Sequence, residues 1–421
     1  MIKRIAGLQI HFISLKALFF NRVMYIAYAL FILAIIGMWD VLDQRYMTPS
    51  ATAFDAGLHP GSMDVAHAMK EAVFGHGGEV KREAPWSLYI VNYIYMVYTG
   101  SGMIFLVAFA EFFNIDLIKR AASGFLTLGL AMVLSGLFTI LIDLNASHFH
   151  WMFLSPQLHS GMWLMLPLYM IYIPLVIFEI YLLITHKNHW VKKLAFPILI
   201  LSLLVDFTEF YIQAKLFNMN LARNLWTSYP TLMFYFMVSS FVASSAVMIF
   251  YTYFTYRNLN KNVCLSLVNL LAKITLYSVI TLGFYEVISY LFVDSRSLGI
   301  MLFGDFRYYF YTYFIFTVMI PFSMLFWNTK GPLIKLFASI FIIIGTYLGR
   351  MIFVYGGNAY PLSDRFGVGF EKYGEYEPVK EMIFFFPSWS ETAIVIGSIG
   401  IVIFTYKVLD ALFHISLMRK H

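Results

Sequence analysis

Apolar residues run along this chain in blocks of about twenty, too continuous for the alternation of a half-buried strand or the one-sided stripe of a surface helix. The blocks fall at 21-42, 86-113, 121-143, 161-185, 191-214, 230-257, 264-293, 306-329, 332-355 and 389-414. Each is long enough to cross about 30 Å of hydrocarbon at about 1.5 Å per residue. In lipid, backbone groups must be satisfied within a helix or a closed barrel, and the lack of alternation argues against a barrel. The pattern predicts an all-α integral membrane protein with about ten transmembrane helices. Pro167, Pro174, Pro197 and Pro321 lie inside blocks, where kinks are expected.

The polar connections set an orientation. Lys3, Arg4, Lys16 and Arg22 precede the first block, and the same side collects Lys119 with Arg120, Lys192 with Lys193, Arg257, Lys335 and Arg419. Short connections rich in Lys and Arg stay in the cytoplasm, so both termini are expected there. Residues 1-20 read as a basic amphipathic segment on the inner membrane surface, or simply as topogenic charge. The opposite side holds the longer connections 43-85, 144-160, 215-229, 294-305 and 356-388. The first block is full length and lacks a small-residue cleavage site, which reads as a retained helix.

Composition supports this frame: 60% of residues are hydrophobic and 12% charged, which a soluble domain could not carry. The net charge of +6 comes from basic residues scattered at helix ends, so it makes no case for nucleic acid. A single cysteine, Cys264, excludes an internal disulfide and a thiolate set for an iron-sulfur cluster. The histidines fall in termini and loops, with His414 at the end of the last block, so paired axial ligands for a haem are not in place. The 23 methionines read mainly as packing residues.

A sparse set of ionisable residues remains inside the blocks: Glu111, Asp143, Glu179, Asp206, Glu209, Lys273 and Glu286. A charge at mid-helix costs about 2.5 to 3.5 kcal/mol on insertion scales, so each needs a reason. For Glu111 and Lys273 a structural or interfacial role is the simpler account. Asp206, Glu209 and Gln213 are spaced three and four apart and share one helix face, from which Tyr211 points away. With Glu179 and Glu286 they are candidates for a proton path; the plain alternative is structural pairing or hydration. Asp143 closes the third block just before His148 and His150, and His159 precedes the fourth. Imidazole and carboxylate together can pass protons near neutral pH. The histidines read equally as a wet loop, and a zinc site with Asp143 lacks closed ligand spacing.

Short motifs carry a resemblance. They are Ala84-Pro85-Trp86-Ser87-Leu88-Tyr89-Ile90, Tyr98-Thr99-Gly100-Ser101-Gly102, Asp143-Leu144, Gly349-Arg350 with Gly356-Gly357, and Pro387-Ser388-Trp389-Ser390-Glu391. In this order the chain resembles the NrfD/PsrC family over most of residues 84-414, and more closely the ten-helix, HybB-type membrane subunits of hydrogenases and related molybdenum enzymes. The resemblance implies two four-helix bundles, here 86-214 and 230-355, with 21-42 and 389-414 as flanking helices on either side. It also implies a bacterial inner-membrane protein that binds menaquinone or ubiquinone without haem or an iron-sulfur cluster of its own. Its partners would be a periplasmic iron-sulfur subunit and a catalytic subunit of hydrogenase or molybdopterin type. Many relatives carry Asp-Leu-Gly-Arg-Pro where this chain has Asp143-Leu144-Asn145-Ala146-Ser147, so only two positions match.

A quinone needs an apolar slot for its tail, hydrogen-bond donors at two ring oxygens and two protons per two-electron reduction. Asp143, His148, His159, Asn92 and Tyr89 are the candidate headgroup ligands. Tyr89 reads also as an interfacial aromatic, whereas a membrane amide such as Asn92 needs a partner. Glu391 reads as a helix cap and Arg350 as pairing with an acid at the outer surface. The expected function is a quinone-reactive membrane anchor of a respiratory oxidoreductase, a component other than the catalytic subunit, with proton movement as a further role. The competing class is a proton- or cation-coupled secondary transporter, which would use the same buried acids.

Overall fold

A computed structural model describes residues 2–5, 8–11, 18–42, 86–143, 153–185, 189–219, 224–228, 231–257, 261–292, 301–304, 306–327, 331–359 and 387–415. Within them are ten helices long and apolar enough to cross a membrane. They are α1 (Arg22–Leu42), α2 (Leu88–Phe112), α3 (Asp116–Asp143), α4 (Gly161–Ile184) and α5 (His189–Asn218). There follow α6 (Leu232–Tyr256), α7 (Lys261–Phe292), α8 (Arg307–Trp327), α9 (Pro332–Ala359) and α10 (Trp389–Phe413). The chain is an all-α, multi-pass integral membrane protein, as its apolar blocks predict. Two short strands, β1 (Ile2–Ile5) and β2 (Leu8–His11), pair antiparallel, and β2 lies against α10.

Successive spans alternate in direction, so one end of the molecule gathers Asp143, the start of α2 and the end of α5. We call this the Asp143 end, and the other the Lys119 end. Helices α2 to α5 pack in a closed ring of neighbours, and α6 to α9 form a second ring. The rings meet where α6 packs on α2 and α5, and α9 on α2. Ser244 Oγ donates across this seam to the Thr99 carbonyl at 2.8 Å. The flanking helices do not sit one on each side: α1 pairs with α10, and α10 packs on α3.

Small residues set a close crossing between α2 and α3. Gly100 on α2 faces Gly129 on α3, and a Cβ at Gly100 would stand 2.6 Å from the Gly129 carbonyl oxygen. Only a residue without Cβ allows that approach, and close approach of backbones is how helices gain contact in lipid. The exposed faces are apolar, with Ile32, Ile35, Phe254 and Phe284 turned outward, as contact with lipid requires.

Pro167 and Pro174 lie within α4, and Pro197 within α5, without ending either helix. Pro321 acts differently. It has no N–H to bond the Thr317 carbonyl, and the backbone widens into a π turn at Ile315–Met319 immediately before it. The start of α10 is a capping box, with Ser388 Oγ accepting from the Glu391 N–H at 3.2 Å and Glu391 reaching back to the Ser388 N–H at 3.4 Å. Glu391 therefore caps its helix, as its position at the head of an apolar block suggests.

Candidate functional site

The first bundle holds a cavity of about 600 Å³ toward the Asp143 end. Its walls are mostly aliphatic side chains and methionines of α2, α3 and α4, among them Ile90, Leu137, Met165 and Met170. Trp86 and Phe217 form an aromatic side, and the lining polar side chains are Asp143, Tyr93 and Tyr169. Trp86 is wedged between the Phe217 ring at 4.8 Å and the Trp226 ring at 4.5 Å, and its carbonyl accepts from the Asn358 amide. Asp143 is the last residue of α3, and its carboxylate accepts from Ser87 Oγ at 3.4 Å. Ser87 also caps α2, so one short segment both starts that helix and holds the acid.

From the cavity floor a polar ladder descends between α4 and α5. Tyr93 and Tyr169 place their hydroxyls 3.2 Å apart, and the Gln213 amide donates to both, at 3.1 Å to Tyr169. Tyr169 in turn donates to Glu209 Oε1 at 3.0 Å. Ser101, on α2, faces both Glu209 and the Tyr172 hydroxyl, and Tyr172 faces Asp206 without closing a hydrogen bond. Both Asp206 oxygens are buried and have no hydrogen-bond partner. Beyond them Ser202 faces Glu179.

The ladder follows from helix periodicity. Ser202, Asp206, Glu209 and Gln213 recur on α5 at steps of four, three and four, and each has no exposed surface. Tyr211, by contrast, is 56% exposed, on the far side of the same helix. Tyr169, Tyr172 and Glu179 recur on the facing stripe of α4. Ten residues of α4 separate Tyr169 from Glu179, an axial distance of about 15 Å, half of a typical hydrocarbon thickness.

Glu179 opens into a second cavity of about 240 Å³ near the Lys119 end, which Glu111 also lines. Glu111 makes an ion pair with Lys119 at 3.8 Å, so the simple structural account of that carboxylate holds. Lys273 is exposed on α7.

The sequence-derived candidates divide cleanly. Asp143 lines the large cavity. Asn92 is 1% exposed and its amide is engaged elsewhere, donating to Thr139 Oγ1 at 3.4 Å and to Ser398 Oγ at 3.1 Å; it ties α2 to α3 and α10 and is not in the cavity wall. Tyr89 is fully buried and also outside that wall, one turn of α2 from Tyr93, which is in it. His159 sits exposed on the turn before α4. His148 and His150 lie outside the described residues. Glu179, Asp206 and Glu209 come together in one line, whereas Glu286 sits in the second bundle and accepts from the Tyr313 hydroxyl at 2.7 Å.

Sequence reasoning did not single out Tyr93, Tyr169, Tyr172 or Trp86 as site residues. The available signal was the recurrence on α4 of Met165, Tyr169, Tyr172 and Glu179, in register with the acids of α5. Among the described residues, no group of three or more His, Cys, Asp or Glu side chains is arranged to hold a metal ion. No protein-family model matches the sequence, and no curated protein matches it.

Proposed function

We propose that the chain is the quinone-reactive membrane anchor of a respiratory oxidoreductase. The observation that carries this reading is the large apolar cavity in the first bundle, polar at its mouth and floor and continuous with a buried ladder of acids. A volume of about 600 Å³ is within the range of cofactor pockets, and an apolar lining with a few fixed polar groups suits a ring with two oxygens and an isoprenoid tail. Asp143 would meet one ring oxygen, and Tyr93 or Tyr169 the other. Bound there, a quinone supplies two-electron redox chemistry; the chain supplies the protons.

Tyr169 is the natural donor at the floor, because its hydroxyl already bonds Glu209. A proton given to the ring oxygen is replaced from Glu209, then from Asp206 through Ser101 and Tyr172, and finally from Glu179. The unpartnered oxygens of Asp206 are where bridging waters would sit, since buried polar groups without protein partners recruit them. The resemblance to the NrfD/PsrC family leads to the same reading and adds the partners: an iron-sulfur subunit docked at the Asp143 end, facing outward in a bacterial inner membrane, and a catalytic subunit of hydrogenase or molybdopterin type. Menaquinone and ubiquinone both fit the chemistry.

Copurification and reconstitution test this. The native protein is expected to carry a quinone and an iron-sulfur partner, and added quinone is expected to quench Trp86 fluorescence in a single-tryptophan background. A purified protein that carries neither and moves a solute when reconstituted alone would instead be a transporter built on the same acids.

A further inference from the structure

The buried charge of Arg350 is enclosed by protein. The expected pairing with a surface acid is not what is found: the residue is 4% exposed, donates from Nη2 to Ser239 Oγ at 2.7 Å and lies among the rings of Tyr98, Tyr235 and Phe236. The large cavity of the first bundle is not enclosed. Its inner wall, with Ile90 and Ile94 of α2 and Met165 and Tyr169 of α4, is buried. Leu141 on α3 and Met162, Met170 and Pro174 on α4 line the same space and are exposed, Met170 by 61%. Met170 and Pro174 are one turn apart and share with Ile171 and Ile177 the outward face of α4, whose opposite stripe of Met165, Tyr169, Tyr172 and Val176 is buried. These rim side chains thus belong both to the cavity and to the outer surface of the bundle.

Depth says what lies outside this opening. Leu141 and Met162 stand within about 3 Å of their helix ends at the Asp143 end, and Pro174 about 20 Å along α4, so the rim runs through about one leaflet of a hydrocarbon core roughly 30 Å thick. Between rim and interior the lining is apolar, with Leu137 and Ile140 on α3 and Ile173 on α4. Water finds no polar side chain to bond at that level, whereas a hydrocarbon chain continues the lining. The rim helix is also the softer one. Pro174 has no N–H for the Met170 carbonyl, and Pro167 none for that of Trp163, so α4 lacks two of the rungs that stiffen a helix.

We propose that the cavity opens sideways into the bilayer between α3 and α4, and that an acyl chain of a lipid in the leaflet at the Asp143 end occupies it whenever no other ligand does. An apolar hollow that meets hydrocarbon forfeits dispersion contacts along every unfilled wall. A flexible chain recovers them without burying a polar atom, because its headgroup stays outside, beyond Leu141 and Met162. The opening stands on the cavity walls alone. On the quinone reading it is also the way in: a ring and tail dissolved in the bilayer displace the resident chain without crossing water, and the lipid becomes a competitor that sets the apparent affinity.

Photocrosslinking tests this without quinone. The full-length protein is placed in phosphatidylcholine nanodiscs doped with a phosphatidylcholine that carries a diazirine at mid-chain, irradiated, and its adducts are located by mass spectrometry. Ile90 and Ile94 are 6% and 1% exposed, so a mid-chain probe reaches them only through the cavity. Adducts are expected on α2 at Ile90 or Ile94, as well as on α4 at the outward Ile171 and Ile177. The α2 adducts are expected to be lost in Leu141→Trp and Met170→Trp, which fill the rim, with the outward ones retained. Adducts confined to outward faces overturn the proposal, as do α2 adducts that persist undiminished in both rim variants. If neither variant folds, the wild-type pattern decides the matter alone. Decylubiquinone that displaces the α2 adducts supports the quinone reading as well; adducts that it fails to displace count against that reading and not against the opening.

Discussion

The two four-helix rings share an architecture and differ in how they use polar side chains. In the ring of α2 to α5 the acids and tyrosines meet one another in a line between two cavities. In the ring of α6 to α9 several buried hydroxyls are spent within their own helix: Thr275 on the Leu271 carbonyl at 2.8 Å, Ser339 on Leu336 at 2.7 Å, Thr346 on Ile342 at 2.7 Å. A hydroxyl bonded to its own backbone is satisfied and inert; a carboxyl with no such option must find a neighbour or water. Side-chain length thus decides whether a buried polar residue closes on its own helix or connects with others. The first ring also has room. Met165, Met170 and Pro174 line its cavity, while Gly100 and Gly129 draw α2 and α3 together on another side.

The strongest way to break this contrast is to interrupt the ladder. Asp206→Asn removes a proton carrier while preserving shape, and quinol turnover of the assembled complex is expected to fall by about 10²-fold or more, with quinone binding retained. Gly100→Ala attacks the packing that gives the first ring its form. The new methyl meets the Gly129 carbonyl, and a loss of about 1–3 kcal/mol is expected, read as a lower unfolding midpoint in detergent. Asp143→Asn keeps the hydrogen bond from Ser87 but alters the cavity mouth; about a tenfold loss of turnover with normal assembly is expected, and unchanged turnover would remove Asp143 from the mechanism. Thr275→Val sharpens the comparison from the second ring. It removes only a back-bond to the helix, so stability should change by less than about 1 kcal/mol and turnover should not change.

Much of this was legible in the chain. The helix count and the shared face of Asp206, Glu209 and Gln213 follow from period and hydropathy, because a helix in lipid has few other ways to satisfy its backbone; the division into two bundles is implied only by the family resemblance. The partners of those acids were not legible. Tyr89 and Tyr93 differ by one turn of α2, and only packing decides which one reaches the cavity. Asn92, as a membrane amide, needs partners, but it finds them in Thr139 and in Ser398, which is 306 residues away, and no local pattern announces that it is held there and not at the cavity. Arg350 looked like a helix-end charge because sequence distance to the next loop says little about depth in a helix that is 28 residues long.

The Asn92 to Ser398 contact also sets an order of assembly. Ser135 on α3 donates to the Ser398 carbonyl at 2.8 Å, so two helices of the cavity-bearing ring complete their hydrogen bonding only on α10. In a growing chain α10 leaves the ribosome after α1 to α9. Until then α1 lacks its main packing partner, and the flank of α3 that receives α10 faces lipid or the insertion machinery with Ser135 unanswered. The cavity therefore acquires this wall support only once α10 has been made, and a chain stalled before residue 389 would hold nine spans without a finished site.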